Sequence, residues 1–187
     1  SRSDLMAVPG IGPVLAAAIM DTCSHFDLIR FERLLKQEAI NYITWFNDSY
    51  PEALRQLDSP PPLLFYRGKL EVLTRPMLAV VGTRKPTAPM TTWLENLCAE
   101  LAEAGVVIVS GLARGIDGAA HRGALRTGMT VAVLGSGLTR IYPPEHRSLA
   151  KKIAQNGLVL SEYAPFAQVR AQNFPARNRI ISGLSDI

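Results

Sequence analysis

The residues that could do chemistry gather around glycine-rich junctions. Ile108-Val-Ser-Gly-Leu-Ala-Arg-Gly-Ile-Asp-Gly-Ala-Ala-His121 passes from a β-branched run through a loop into a helical pattern. In such an arrangement backbone N–H groups and a helix N-terminus face a phosphate. Gly111, Gly115 and Gly118 match neither a Walker A motif nor the G-x-G-x-x-G of dinucleotide enzymes, so an anion is implied but nicotinamide is not. Two further loops have the same character: Gly82-Thr83-Arg84-Lys85 and Gly135-Ser136-Gly137. Glycine permits close approach of a ligand to the backbone. Arg84 and Arg114 add forked, permanently charged donors for phosphate oxygens. Ser110, Gly111, Arg114, Gly115, Gly135 and Ser136 are accordingly read as part of one phosphate site with Gly82 to Lys85.

A catalytic pair is not evident. Asp117 and His121 stand four apart on the helical pattern, a spacing that lets a carboxylate hold an imidazole, against the alternative of general acid–base work. Ser110 and Ser136 lack a G-x-S-x-G elbow. Glu162 follows a strand and suits a ligand hydroxyl or a neighbouring arginine, Arg177 or Arg179. The segment Asn173-Phe-Pro-Ala-Arg-Asn-Arg179 joins an aromatic to arginines. Stacking faces beside backbone-following cations suit sequence-tolerant single-strand binding, which singles out Phe174, Arg177 and Asn178. Three histidines and two separated cysteines form no metal-ligand cluster, and no cofactor is implied. Cys23 and Cys98 read as buried free thiols of a reducing cytosol.

Alternating elements must hold these loops. Apolar strands are expected at 78–81, 106–110, 129–134 and 158–160, with helices at 90–104, 116–126, 144–156 and 178–184. That order predicts an α/β fold: a Rossmann-like parallel sheet with helices on both faces, over residues 77–187. Residues 162–176 read as irregular, and Asp186-Ile187 as the start of a further strand, so this domain is expected to be incomplete. Residues 1–40 read as a small all-helical module. Pro9 to Gly12 turns into an Ala-rich helix in the manner of a helix-hairpin-helix, with Leu15, Ile19 and Cys23 on one side. No lysine or arginine lies between Asp4 and Asp21, which argues against a strong phosphate contact there. Residues 41–76 read as a connector with a β candidate at 63–67. Tyr42, Trp45, Phe46, Phe65 and Tyr66 are taken there as packing residues.

The 187 residues suit one ordinary domain with a small appendage, and 48% hydrophobic content supports a proper core. A formal charge of +4 hints at a polyanionic partner without deciding it. No apolar run reaches the roughly 18 residues of a membrane helix, so no membrane partner is expected.

Val81-Gly-Thr-Arg84, Ser110 to His121, Val133 to Leu138, Ile141-Tyr-Pro-Pro-Glu-His146, Leu160-Ser-Glu-Tyr163 and Phe174 to Ser185 together resemble the DNA-processing protein A family, also called DprA or Smf. Tyr50-Pro-Glu-Ala-Leu54 and Pro62 to Gly68 resemble that family's entry into its Rossmann-like domain. The resemblance implies a bacterial, cytoplasmic, non-catalytic protein that binds single-stranded DNA. It further implies loading of RecA recombinase during natural transformation, and a homodimer. It places DNA contacts at Arg84 and at Phe174, Arg177 and Asn178. Tyr163-Ala-Pro-Phe-Ala167 departs from the family's usual turn, and the chain ends before the strands where self-association and RecA contacts mainly lie. The competing reading is a Rossmann-type nucleotide hydrolase or phosphoribohydrolase using Glu162 or Asp117, although the Pro-Gly-Gly loop of that class is absent. A scaffold binding neither ligand is the third.

Overall fold

A computed structural model describes residues 1–186. The chain divides into two compact units, Ser1–Gln37 and Glu38–Ile187.

The first unit is helical throughout. Helix α1 (Arg2–Met6) opens with a capping box, in which the Ser1 hydroxyl accepts from the Asp4 amide and the Asp4 carboxylate accepts from the Ser1 ammonium. Helix α2 (Pro13–His25) follows the glycine turn with Pro13 at its first position, where a missing N–H costs nothing. Helix α3 (Leu28–Gln37) closes the unit. The apolar stripe expected at Leu15, Ile19 and Cys23 is not the packed one: Ala16 is fully buried, while Leu15 and Cys23 are exposed. Small alanine side chains let helices approach closely, so the tight contact falls on Ala16. Only Cys98 meets the expectation of a buried thiol.

The second unit carries a six-stranded sheet in the order β1-β2-β6-β5-β4-β3. Strands β3 (Met77–Ala79), β4 (Val107–Ser110), β5 (Thr130–Val133) and β6 (Leu158–Ser161) are parallel. Strands β1 (Asn41–Thr44) and β2 (Leu63–Gly68) add an antiparallel edge: β2 falls on the β candidate at 63–67, and β1 is a strand where the sequence suggests only connector. The sheet is therefore mixed. The short run Asn41-Tyr-Ile-Thr44 gives little periodic signal because only Ile43 is buried. Phe46 is 91% exposed and Tyr42 47% exposed, against their expected packing role.

Helices α5 (Ala88–Glu103), α6 (Ile116–Ala124) and α7 (Arg147–Asn156) are the crossovers, and α4 (Glu52–Arg55) and α8 (Asn173–Leu184) cover the opposite face. Strand alternation divides the core accordingly. Val107, Val109, Val131, Val133, Leu158 and Leu160 pack with Leu54, Ile180 and Leu184. Ile108 instead packs with Cys98 and the alanines of α6. Each such buried aliphatic side chain contributes about 1.5–3 kcal/mol. Helix α8 begins at Asn173, five residues earlier than its sequence pattern suggests, because Pro175 lies in the first turn where no intrahelical N–H is needed.

Candidate nucleic-acid interface

Parallel pairing aligns the carboxyl ends of β3, β4, β5 and β6 along one sheet edge, and their loops meet there. Ligands of open α/β sheets bind at that edge. A cleft of about 290 Å³ opens between the β3 loop (Val81, Gly82, Arg84), the β4 loop (Ala113, Asp117) and the start of α8. Ala171, Phe174, Pro175, Arg177 and Asn178 supply the α8 side. Of the residues expected to bind phosphate, the structure brings together Gly82, Arg84, Phe174, Arg177 and Asn178.

The cleft wall is closed by the chain itself. Asp117 Oδ2 accepts hydrogen bonds from the Gly111 amide at 3.2 Å and the Ala113 amide at 3.3 Å. Amides expected to cradle a phosphate are thus satisfied by a carboxylate of the same loop. Burial pushes the Asp117 carboxyl above its ordinary pKa, opposed by the Ala113 amide and the Arg177 charge. Arg177 is 3% exposed and donates to the carbonyls of Gly111, at 2.8 Å, and Val133. A Cβ at Gly111 would lie 2.3 Å from an Arg177 guanidinium nitrogen, so that glycine makes room for a side chain of the protein. Gly115, at φ 76°, presses against the β3 loop: a Cβ there would lie 2.3 Å from the Thr83 carbonyl oxygen, which accepts from the Ile116 amide. The Thr83 hydroxyl accepts from the Lys85 amide at 3.2 Å.

Ser110 and Ser136 turn inward. Their hydroxyls donate to the carbonyls of Val80 and Arg140, at 2.5 and 2.7 Å. Gly135 abuts the Phe174 ring. Asp117 and His121 do not pair. The His121 Nδ1 lies 2.7 Å from the Thr130 hydroxyl, which donates onward to the Ile108 carbonyl, so the imidazole donates through Nδ1. Burial pushes its pKa down to about 3, and the ring is neutral. Glu162 is held by Arg179 in a two-pronged ion pair, with one contact at 2.6 Å.

Two cations stand on the β3 loop, Arg84 in the cleft lining and Lys85 next to it in the chain. Arg84 and Lys85 are exposed, and neither side chain makes an ion pair or hydrogen bond among the described residues. The Arg84 guanidinium lies 5.9 Å from the Phe174 ring centroid. Phe174 in turn contacts Tyr142, with centroids 5.7 Å apart. Arg114 lies 5.9 Å from the Tyr142 ring and bonds Glu145 at 2.5 Å, so it stands at the rim already paired. Tyr142 belongs to the Ile141 to His146 motif, yet nothing in its spacing signals that the ring extends an aromatic surface.

The fold and cleft define a layered α/β protein with a basic, aromatic-lined groove at the carboxyl edge of its sheet. Residues 41–187 match the family model described as DNA recombination-mediator protein A, and residues 1–22 match the helix-hairpin-helix motif. Protein Smf of Synechocystis sp. is 41% identical over 183 residues, covering 95% of this chain and 46% of that protein. DNA processing protein DprA of Bacillus subtilis is 37% identical over 177 residues, 92% of this chain and 60% of its own length. The crystal structure of DNA processing protein A from Streptococcus pneumoniae superposes with a TM-score of 0.84 at 38% identity, over 99% of this chain and 64% of that one. A structure of the Helicobacter pylori protein, which describes that protein's single-stranded DNA binding mode, gives a TM-score of 0.71 at 38% identity, over 79% of this chain and 67% of that one.

The chain belongs to the DNA recombination-mediator protein A (DprA/Smf) family. It spans about half the length of the curated relatives it matches. Among the described residues no helix is long and apolar enough to cross a membrane, and no cluster of metal-ligating side chains occurs.

Proposed function

We propose that this chain binds single-stranded DNA, with a backbone phosphate at Arg84 and Lys85 and a base against Phe174. The observation that carries the reading is the pairing of an unengaged arginine with an aromatic face in a cleft where the loops after β3 and β4 meet the start of α8. A guanidinium supplies forked donors to phosphate oxygens, and a ring stacks on any base, giving affinity without sequence preference. Asn178 adds an exposed amide on the α8 side. Arg177 and Asp117 set the shape of the wall, and Ser110, Gly111, Gly115, Gly135 and Ser136 hold the loops that form it. The single-stranded DNA binding described for the Helicobacter pylori relative supports this assignment.

The proposed role is non-catalytic. The two carboxylates available to a phosphoribohydrolase are committed, Asp117 to amides and Glu162 to Arg179. In the longer protein the bound strand would be passed to RecA recombinase during natural transformation, in the cytoplasm and from a homodimer.

Arg84→Ala tests the assignment. Affinity for oligo-dT is expected to fall severalfold or more, and the slope of log K against log salt to flatten by about 0.7, the value for one lost phosphate contact on a single strand. Unchanged affinity and slope in a fluorescence-anisotropy titration would remove the cleft from the binding site.

A further inference from the structure

Helix α7 is a basic ridge to which the cleft assigns no part. Residues 146–161 contain no aspartate or glutamate. On α7, Leu149, Ala150 and Ile153 are buried against the sheet, while Arg147, Lys151 and Lys152 are exposed. None of the three side chains makes an ion pair or hydrogen bond among the described residues. A hollow flanks the helix on each side. One, of about 230 Å³, is edged by Arg67, Arg147 and Lys151. The other, of about 330 Å³, is edged by Arg122, Arg126 and Lys152.

The chain links the ridge to the cleft. Because α7 joins two parallel strands, it runs back from the carboxyl edge of the sheet, and Arg147 at its start directly follows the turn that carries the rim residue Glu145. The rim passes from Phe174 to Tyr142, then through the turn Pro144–His146, whose His146 Nδ1 donates to the Leu112 carbonyl at 2.9 Å. Arg147 follows directly. From there the ten residues of α7 extend about 15 Å. The hollows contain no aromatic side chain, so a base gains no stacking partner and the available contact is with phosphate.

We propose that the strand leaving the cleft continues along α7, with its phosphates neutralised by Arg147, Lys151 and Lys152. This rests on the cleft reading above and extends the footprint from one nucleotide-sized pocket to a track. The chemistry is sequence-independent, since each cation releases counterions from the strand and none reads a base edge.

The test uses the intact chain and two oligo-dT lengths, about 6 nucleotides, which occupies the cleft alone, and about 20, which reaches the ridge. In Arg147→Ala/Lys151→Ala/Lys152→Ala, affinity for the longer strand is expected to fall about tenfold at roughly 0.1 M salt, with its salt slope flattened by about 2. Affinity for the short strand stays within about twofold, and a wild-type circular dichroism melt shows that the fold is intact. Long-strand affinity and slope equal to wild type overturn the track and leave the ridge to an acidic partner. Equal losses for both lengths also overturn it, because the ridge would then act on the cleft. Titration of the same variant with a blunt duplex divides the first of these outcomes: a loss confined to the duplex assigns the ridge to double-stranded DNA and likewise overturns the single-strand track. Arg84→Ala separates the two readings: it must weaken both lengths, and its failure to do so sinks the cleft without touching the length dependence that reports the ridge.

Discussion

Arg84 and Arg177 have the same side chain and the same expected role, but their surroundings divide them. Arg84 has water on one side and a phenyl ring on the other. Arg177 spends its donors on the Gly111 and Val133 carbonyls inside the wall. Removing it leaves two buried acceptors unsatisfied and strips Asp117 of a compensating charge. Arg177→Ala is therefore expected to lower the unfolding free energy by about 3 kcal/mol, whereas Arg84→Ala, at an exposed position, stays within about 0.5 kcal/mol. Parallel urea titrations decide it: equal midpoints for the two variants would return Arg177 to the list of ligand-facing residues. Sequence could mark both arginines as chemical, since type and proximity to a strand end are local properties. It could not rank them, because the carbonyls that engage Arg177 lie 66 and 44 residues away in the chain. The Asp117 contacts are local, six and four residues back in the chain, but loop conformation decides them: the i, i+4 rule pointed to His121 while the loop's own amides took the carboxylate.

At the scale of elements, α6 shows how a polar residue is accommodated in a core. The helix packs its alanines between α5 and the sheet, and His121 must enter that layer neutral, donating through Nδ1 to Thr130 of β5. Its pKa in the fold, about 3, lies below the ordinary value of 6.5 that holds in the unfolded chain. The unfolded state therefore binds the proton first. The stability contribution is complete above pH 6.5 and is lost as pH falls from 6.5 toward about 3. In that window His121 alone is expected to lower the unfolding free energy by about 1.4 kcal/mol per pH unit. Denaturant melts at pH 7, 6, 5 and 4 measure the slope, and His121→Asn should reduce it by that amount. An identical slope in the variant would mean that other groups carry the acid sensitivity. Crossover helices and buried strands were legible because their periodicity is strong and β4, β5 and β6 are buried at every position. The outermost strand β1 was not, since it buries one residue in four. Nor was the first turn of α8, where Pro175 reads as a break unless the helix start is already known.

For the whole molecule, charge is partitioned between the two units. Residues 1–37 hold four basic side chains, Arg2, Arg30, Arg33 and Lys36, against four acidic ones, Asp4, Asp21, Asp27 and Glu32. The helical unit is thus neutral, and the formal +4 of the chain resides in residues 38–187. The glycine turn of the helix-hairpin-helix motif adds no cation, since residues 5–20 contain neither lysine nor arginine. Every strand of the sheet and every residue of the cleft belongs to the second unit. A chain of residues 38–187 is therefore expected to fold and to hold single-stranded DNA within about threefold of the intact chain's affinity. Its salt slope should differ by less than about 0.7, one phosphate contact. Anisotropy titrations of both chains across a range of salt concentrations make the comparison. A tenfold loss together with a slope reduced by more than one contact would assign a phosphate to the hairpin amides, which donate without a side-chain charge and so escape any count of lysines and arginines. A tenfold loss with an unchanged slope would point instead to the exposed apolar side chains Val14 and Ile29, because contacts with bases release no counterions.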